Sequence, residues 1–193
     1  MEWTGTPPKP AWNWWNPTEH ELAPQWRTTP FVYDLNGDGL NDLAMLDHEG
    51  YLSFFERTRR NGMLQLLPGK HIFSGENGSV YDPGHKLLNK APGLLQLNGK
   101  TAGLSGRRKI CLVDWDGDGK PDLLVNSRNV NFLRNVAAHP GEFLFRDMGA
   151  LDSRALAGHD TSPTVVHWEK DGIPDLLVGA EDGRMYFLRN PRH

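Results

Sequence analysis

Short apolar runs separated by Asp- and Gly-rich turns set the pattern of this chain. Ile110-Cys111-Leu112-Val113 and Leu123-Leu124-Val125 are of strand length and bounded by turn residues, so both read as β-strands. Between them lies Asp114-Trp115-Asp116-Gly117-Asp118-Gly119-Lys120-Pro121-Asp122, a polar loop of nine residues bent at its glycines. The chain repeats this unit. Residues 29–43 and 162–176 lie over residues 109–123, each giving strand, loop, strand. Downstream, Gly50-Tyr51-Leu52-Ser53-Phe54-Phe55 is in register with Gly183-Arg184-Met185-Tyr186-Phe187-Leu188. Phe132-Leu133-Arg134-Asn135 matches Phe187-Leu188-Arg189-Asn190 if the middle turn is two residues shorter.

The loops begin at residues 34, 114 and 167, so successive repeats are 80 and 53 residues apart. Repeats of four strands run about 40 to 50 residues, so the second spacing is one repeat and the first is one repeat plus an insertion of roughly 30. That division predicts an N-terminal Trp/Pro-rich segment over 1–27, a first repeat over 28–72, an inserted loop over 73–106, a second repeat over 107–157 and a third over 158–193. Fourth strands are expected at residues 63–67 and 142–145, while the third repeat ends after its third strand. In the insertion, glycines and Asn/Pro turns displace the strand pattern.

Composition narrows the class. Twenty-one glycines and fourteen prolines spread through 193 residues favour many short strands over long helices, so the fold is all-β. A net charge of −3 offers no large field of either sign, which argues against nucleic acid or an anionic membrane as partner. No apolar stretch reaches the ~18 residues of a membrane span, and residues 1–5 lack the basic start and apolar core of a signal peptide. Cys111 is the only cysteine, so an intrachain disulfide is impossible, and its apolar surroundings predict a buried thiol.

The loops carry the candidate chemistry. Asp114, Asp116, Asp118 and Asp122 place carboxylates at positions one, three, five and nine, with the Lys120 carbonyl at position seven. Asp34, Asn36, Asp38, the Leu40 carbonyl and Asp42 form the same set in loop one. A hard cation that takes about six to eight oxygens at ~2.3–2.6 Å suits these sets, and calcium (Ca2+) is expected in both. An EF-hand is excluded, because position twelve is Val125 in place of Glu and the flanks are strands. Loop three offers His167, Glu169, Asp171 and Asp175, where an imidazole suits calcium poorly, and it is expected to be a vestigial loop closed by hydrogen bonds. The ions are expected to be structural, fixing the corner between two strands.

These loops and their spacing resemble the FG-GAP or VCBS repeats of β-propellers, including the integrin α-subunit type, over about residues 28 to 190. The resemblance implies a partial propeller of about three four-stranded blades, the last incomplete, with a calcium loop between first and second strands. Such a piece needs further blades or self-association to close a ring. Residues 25–30, 46–51, 106–110 and 158–163 are similar to the C-terminal blades of ulvan-lyase-type polysaccharide lyases. That resemblance implies secretion or a periplasmic location and an anionic, uronate-containing substrate such as ulvan. The family's catalytic His and Tyr residues belong to blades upstream of this chain.

Aligning residues just before each loop places Arg27, Arg107, Arg108, His159 and Asp160 at one end of the first strands. In a propeller that end is a mouth of the central channel, where guanidinium forks could pair with carboxylate or sulfate. His48 lies in a tight turn at the same rim, and His71, Tyr81 and His85 lie in or beside the insertion. Trp3, Trp12, Trp14, Trp15 and Trp26 are expected to pack across neighbouring blades. A lyase segment, a non-catalytic adhesion or carbohydrate-binding module and an inactive truncated fragment all remain open readings of this sequence.

Overall fold

A computed structural model describes residues 22, 24–81, 87–98 and 107–193. Trp3, Trp12, Trp14, Trp15 and His85 lie outside the described residues, as does most of the expected N-terminal segment. Among the described residues there is no helix, and the chain is all-β. In chain order the strands are β1 (Phe31–Tyr33), β2 (Asp42–Leu46), β3 (Leu52–Phe55), β4 (Arg57–Arg60), β5 (Met63–Leu66), β6 (Phe73–Gly75), β7 (Val80–Tyr81) and β8 (Leu87–Asn89). There follow β9 (Gly93–Leu94), β10 (Ile110–Val113), β11 (Asp122–Asn126), β12 (Val130–Asn135), β13 (Phe143–Ala150), β14 (Ser162–Val166), β15 (Asp175–Gly179) and β16 (Met185–Leu188).

Each predicted repeat becomes an antiparallel meander in which the nine-residue loop joins the first two strands. β1-β2-β3 and β14-β15-β16 are three-stranded sheets, and β10-β11-β12-β13 is an antiparallel run within a larger one. Apolar runs explain the placement of the middle sheet. Ile110, Leu112, Leu123 and Val125 face a core shared with Ala44, Leu46, Leu52 and Phe54 of the first repeat. Cys111 and Leu124, their neighbours in the same strands, face a second core with Leu176 and Val178 of the third repeat. A strand buried on both faces cannot alternate with polar residues, which is why these segments read as continuous apolar runs. The first strands of the three sheets come together, β1 against β10 and β10 against β14. The Cys111 thiol is buried, as expected, and burial pushes its pKa up to about 11.

Two expectations are corrected. Residues 63–67 do not add a fourth strand to the first sheet; β5 pairs instead with β4 in a separate hairpin, Arg57 opposite Leu66 and Arg60 opposite Met63. The physical reason lies in the side chains: Met63, Leu64 and Leu66 are exposed, so β5 packs no core. The insertion is not strandless either. β6 runs parallel to β13, Phe73 opposite Phe143 and Gly75 opposite Phe145, and β9 pairs with β6. The second sheet is therefore six-stranded, in the order β10-β11-β12-β13-β6-β9. Phe73, Phe143 and Phe145 stack within 5.0 to 6.3 Å of one another, and this cluster holds the insertion in place. Among the described residues, none of the sheets closes on itself.

Candidate functional site

All three loops share one backbone turn. Positions four and six are left-handed in each: Gly37 and Gly39 at φ 74° and 82°, Gly117 and Gly119 at 83° and 85°, Lys170 and Gly172 at 58° and 86°. Lys170 thus holds a conformation that costs a non-glycine residue on the order of 1 kcal/mol. The turn survives in loop three although its sequence has drifted.

The position-one carboxylate caps this turn. Asp34 Oδ1 accepts from the Gly37 and Asp38 amides at 2.8 and 3.1 Å, and its Oδ2 from Gly39 at 2.9 Å. Asp114 accepts from Gly117 and Gly119 at 2.7 and 3.0 Å. Asn36, Asp116, Asp38 and Asp118 each accept from an amide two residues on, the Leu40 and Lys120 amides being those bound by Asp38 and Asp118.

Position nine has a second task. Asp42, Asp122 and Asp175 are fully buried, and each accepts an amide at or just past the end of its third strand: Arg57 at 2.7 Å, Asn135 at 2.8 Å and Asn190 at 2.9 Å. The other oxygen of Asp42 takes the Leu35 amide at 3.1 Å, and that of Asp122 takes Trp115 at 3.0 Å. Asp42 and Asp122 thus tie the second and third strands to the loop, and Asp175 ties the second strand to the chain after the third, with or without an ion. Burial, and then the nearby Asp116 charge, push Asp122 up to about 6 against the pull of its amide donors.

Loop two gathers its ligands most closely. Oxygens of Asp114, Asp116 and Asp122 lie within 4.8 Å of one another, a separation that one ion at ~2.3–2.6 Å from each could span. Asp118 lies beside them, 3.9 Å from Lys120 Nζ. The donor set fits a hard divalent cation, with Asp114, Asp116, Asp118, Asp122 and the Lys120 carbonyl to hold it. Arg134, at the end of β12, lays its guanidinium on the same carboxylates. Its Nε is 2.5 Å from Asp116 Oδ2, off the axis of a hydrogen bond and so an ion pair, and its terminal nitrogen donates to Asp118 at 3.3 Å. In loop one Asn36 donates to Asp38 at 3.3 Å, and among the described residues no guanidinium pairs with its carboxylates: Glu56 stands where Arg134 stands and pairs with Lys70 at 2.9 Å.

At the opposite end of the first strands, two of the expected rim residues come together. Arg108 lies 3.7 Å from Asp160 and donates from Nε to the Leu97 carbonyl at 2.6 Å, with 4% of its side chain exposed. Arg108 is therefore a buried cation engaged within the chain, in contrast to the exposed rim position expected of a substrate contact. His159 is exposed and pairs with Glu181 at 2.5 Å. Arg107 and Arg27 are exposed; the Arg27 guanidinium sits 3.9 Å over the ring of Trp26, itself exposed. Arg27, His48 and Arg107 form no ion pair with the other rim residues among those described. Trp26 is half exposed, and the rest of the tryptophans expected to pack across blades lie outside the described residues.

Sequence reasoning missed one pair at this end. His71 Nε2 lies 2.6 Å from Asp47 Oδ2, which also accepts the Ser53 hydroxyl, and Asp47 Oδ1 is held by the Glu49 and Tyr51 amides. The His71 ring packs on Tyr51 at 4.9 Å. Nothing in the sequence ties residue 71 to residue 47, since the contact depends on how the chain returns after the β4–β5 hairpin. In comparisons with family models, curated proteins and solved structures, the chain matches none.

Proposed function

We propose that this chain is a calcium-stabilised segment of an FG-GAP/VCBS-type propeller whose end opposite the loops contacts an anionic, uronate-containing polysaccharide. The observation that carries the reading is the convergence of Asp114, Asp116 and Asp122 in a glycine-bent loop between two strands. A cation there relieves the repulsion of clustered carboxylates and adds its binding free energy to folding. Thermal unfolding with excess calcium and with chelator, beside the mass in solution, tests it. A cooperative transition that rises with calcium supports the reading, and an unchanged transition overturns it.

At the other end, the exposed Trp26 ring under the Arg27 guanidinium offers a stacking face and a carboxylate fork side by side, which favours binding of a sugar acid. Lyase activity is the further step that resemblance to ulvan-lyase-type enzymes implies. That chemistry takes the proton beside the uronate carboxylate and needs a base, and His71, oriented by Asp47 beside Tyr51, is one group at this end that could serve. Trp26→Ala should weaken polyuronate binding in either case. If His71 is the base, the wild type should form unsaturated product and His71→Ala should not, whereas a binding module forms none in either case.

A further inference from the structure

Loop three keeps the turn but loses the cap. His167 replaces the position-one aspartate and is exposed, so the Lys170 and Gly172 amides lack the carboxylate that loops one and two supply. Its carboxylates do not gather as those of loop two do, although Glu169, Asp171 and Asp175 occupy the same positions as Asp116, Asp118 and Asp122.

A side chain from outside the loop takes up the space between them. His193 places Nδ1 3.0 Å from Asp171 Oδ2 and Nε2 3.1 Å from Asp175 Oδ1, with 4% of its side chain exposed. Asp175 is fully buried, and its Oδ2 has no hydrogen-bond partner, unlike its counterparts in Asp42 and Asp122. A buried carboxylate so poorly supplied with donors calls for a positive charge. An imidazole facing carboxylate oxygens at both nitrogens meets that demand when both carry protons. Arg189 meets Glu169 at 3.3 Å, the counterpart of Arg134 on Asp116.

We propose that His193 is the internal cation of the third loop: its ring, held between Asp171 and Asp175, stands in for a divalent ion and keeps that loop metal-independent. The proposal rests on the calcium reading of loops one and two. It makes loop three a latent cation site, with Glu169, Asp171 and Asp175 available to a hard cation once the ring is gone. Turn geometry and position-nine pinning are thus kept while the ion requirement is shed.

Terbium(III), an oxygen-seeking ion whose emission is sensitised by a nearby tryptophan, tests this on the whole chain, because Trp115 lies in loop two and Trp168 in loop three. Trp168 is 63% exposed, so Trp168→Phe should leave the fold intact. In the wild type this substitution should leave terbium emission unchanged. His193→Ala should bind one additional ion by calorimetry, and the added emission should vanish with Trp168→Phe. His193→Gln, which keeps the bulk without the charge, serves if the alanine variant does not fold, and His193→Lys should stay closed. Wild-type emission that depends on Trp168 overturns the proposal, as does a folded His193→Ala or His193→Gln variant with no added ion. Failure of the calcium reading shows separately, as wild-type protein with no terbium emission from Trp115.

Discussion

Asn190 donates its side-chain Nδ2 to the main-chain oxygen of Trp115, 2.9 Å away and 75 positions earlier in the chain. The same nitrogen reaches the Pro174 carbonyl at 3.0 Å, while the Asn190 amide donates to Asp175. One buried asparagine therefore locks the end of β16 to the loop of its own repeat and to the loop of the repeat before. Asn190→Ala strands two carbonyls and should cost about 2–3 kcal/mol, read as a lower urea midpoint at unchanged m. A loss below ~0.5 kcal/mol would show that the lock carries no load.

Arg134 competes for the carboxylates that a cation needs. Removing it with Arg134→Gln should tighten calcium binding at loop two by up to about five-fold, the scale of an exposed pair worth up to roughly 1 kcal/mol. Calorimetric titration reads this directly, and weaker binding in the variant would mean that Arg134 shapes the site and does not block it.

Asp122 fixes the sign of one pH dependence. Its folded-state value of about 6 stands above the ordinary 3.8, so between those values the folded chain holds the proton more firmly than the unfolded one. Its contribution is favourable below about pH 4 and is lost as pH rises through about 6. In chelator, the stability of the wild type relative to Asp122→Asn should fall across that window. Saturating calcium, which favours the ionised carboxylate, should reverse the slope, and urea midpoints at several pH values test both arms.

Neighbouring arginines should behave oppositely. Arg108→Ala removes a buried cation from Asp160 and from the Leu97 carbonyl and should cost about 2–3 kcal/mol. Arg107→Ala, at an exposed position, should change stability by no more than ~0.5 kcal/mol. If Arg107 meets an anionic polysaccharide, its loss should appear in polyuronate affinity alone.

The loops and the strands they join were legible because both are local. Glycines at positions four and six dictate the turn, and apolar runs such as 110–113 declare strands buried on both faces. Loop three was read from its sequence as degraded, and that is true of its ligands but not of its backbone, since Lys170 tolerates the φ that glycine supplies elsewhere. The pinning role of Asp42, Asp122 and Asp175 was hidden because their partner amides lie 13 to 15 residues away. A signal did exist in the shared Phe-Leu-Arg-Asn of 132–135 and 187–190. Exposure separates Arg107 from Arg108, and adjacent arginines give no hint of it. The β4–β5 hairpin and the β6–β13 pairing depend on long-range packing that no periodicity in 57–98 announces.

The parallel pairing of β6 with β13 bears on how the molecule can be made. A ribosome releases Phe73 long before Phe143, its partner in register 70 positions later, and at about 5–20 residues per second that gap lasts roughly 4 to 14 seconds. Through that interval Phe73, which no solvent reaches in the finished fold, has yet to meet the two phenylalanines that cover it. The nascent chain must carry a sticky, half-built edge while the second repeat is translated, so the speed of synthesis through residues 76–145 bears on yield independently of final stability.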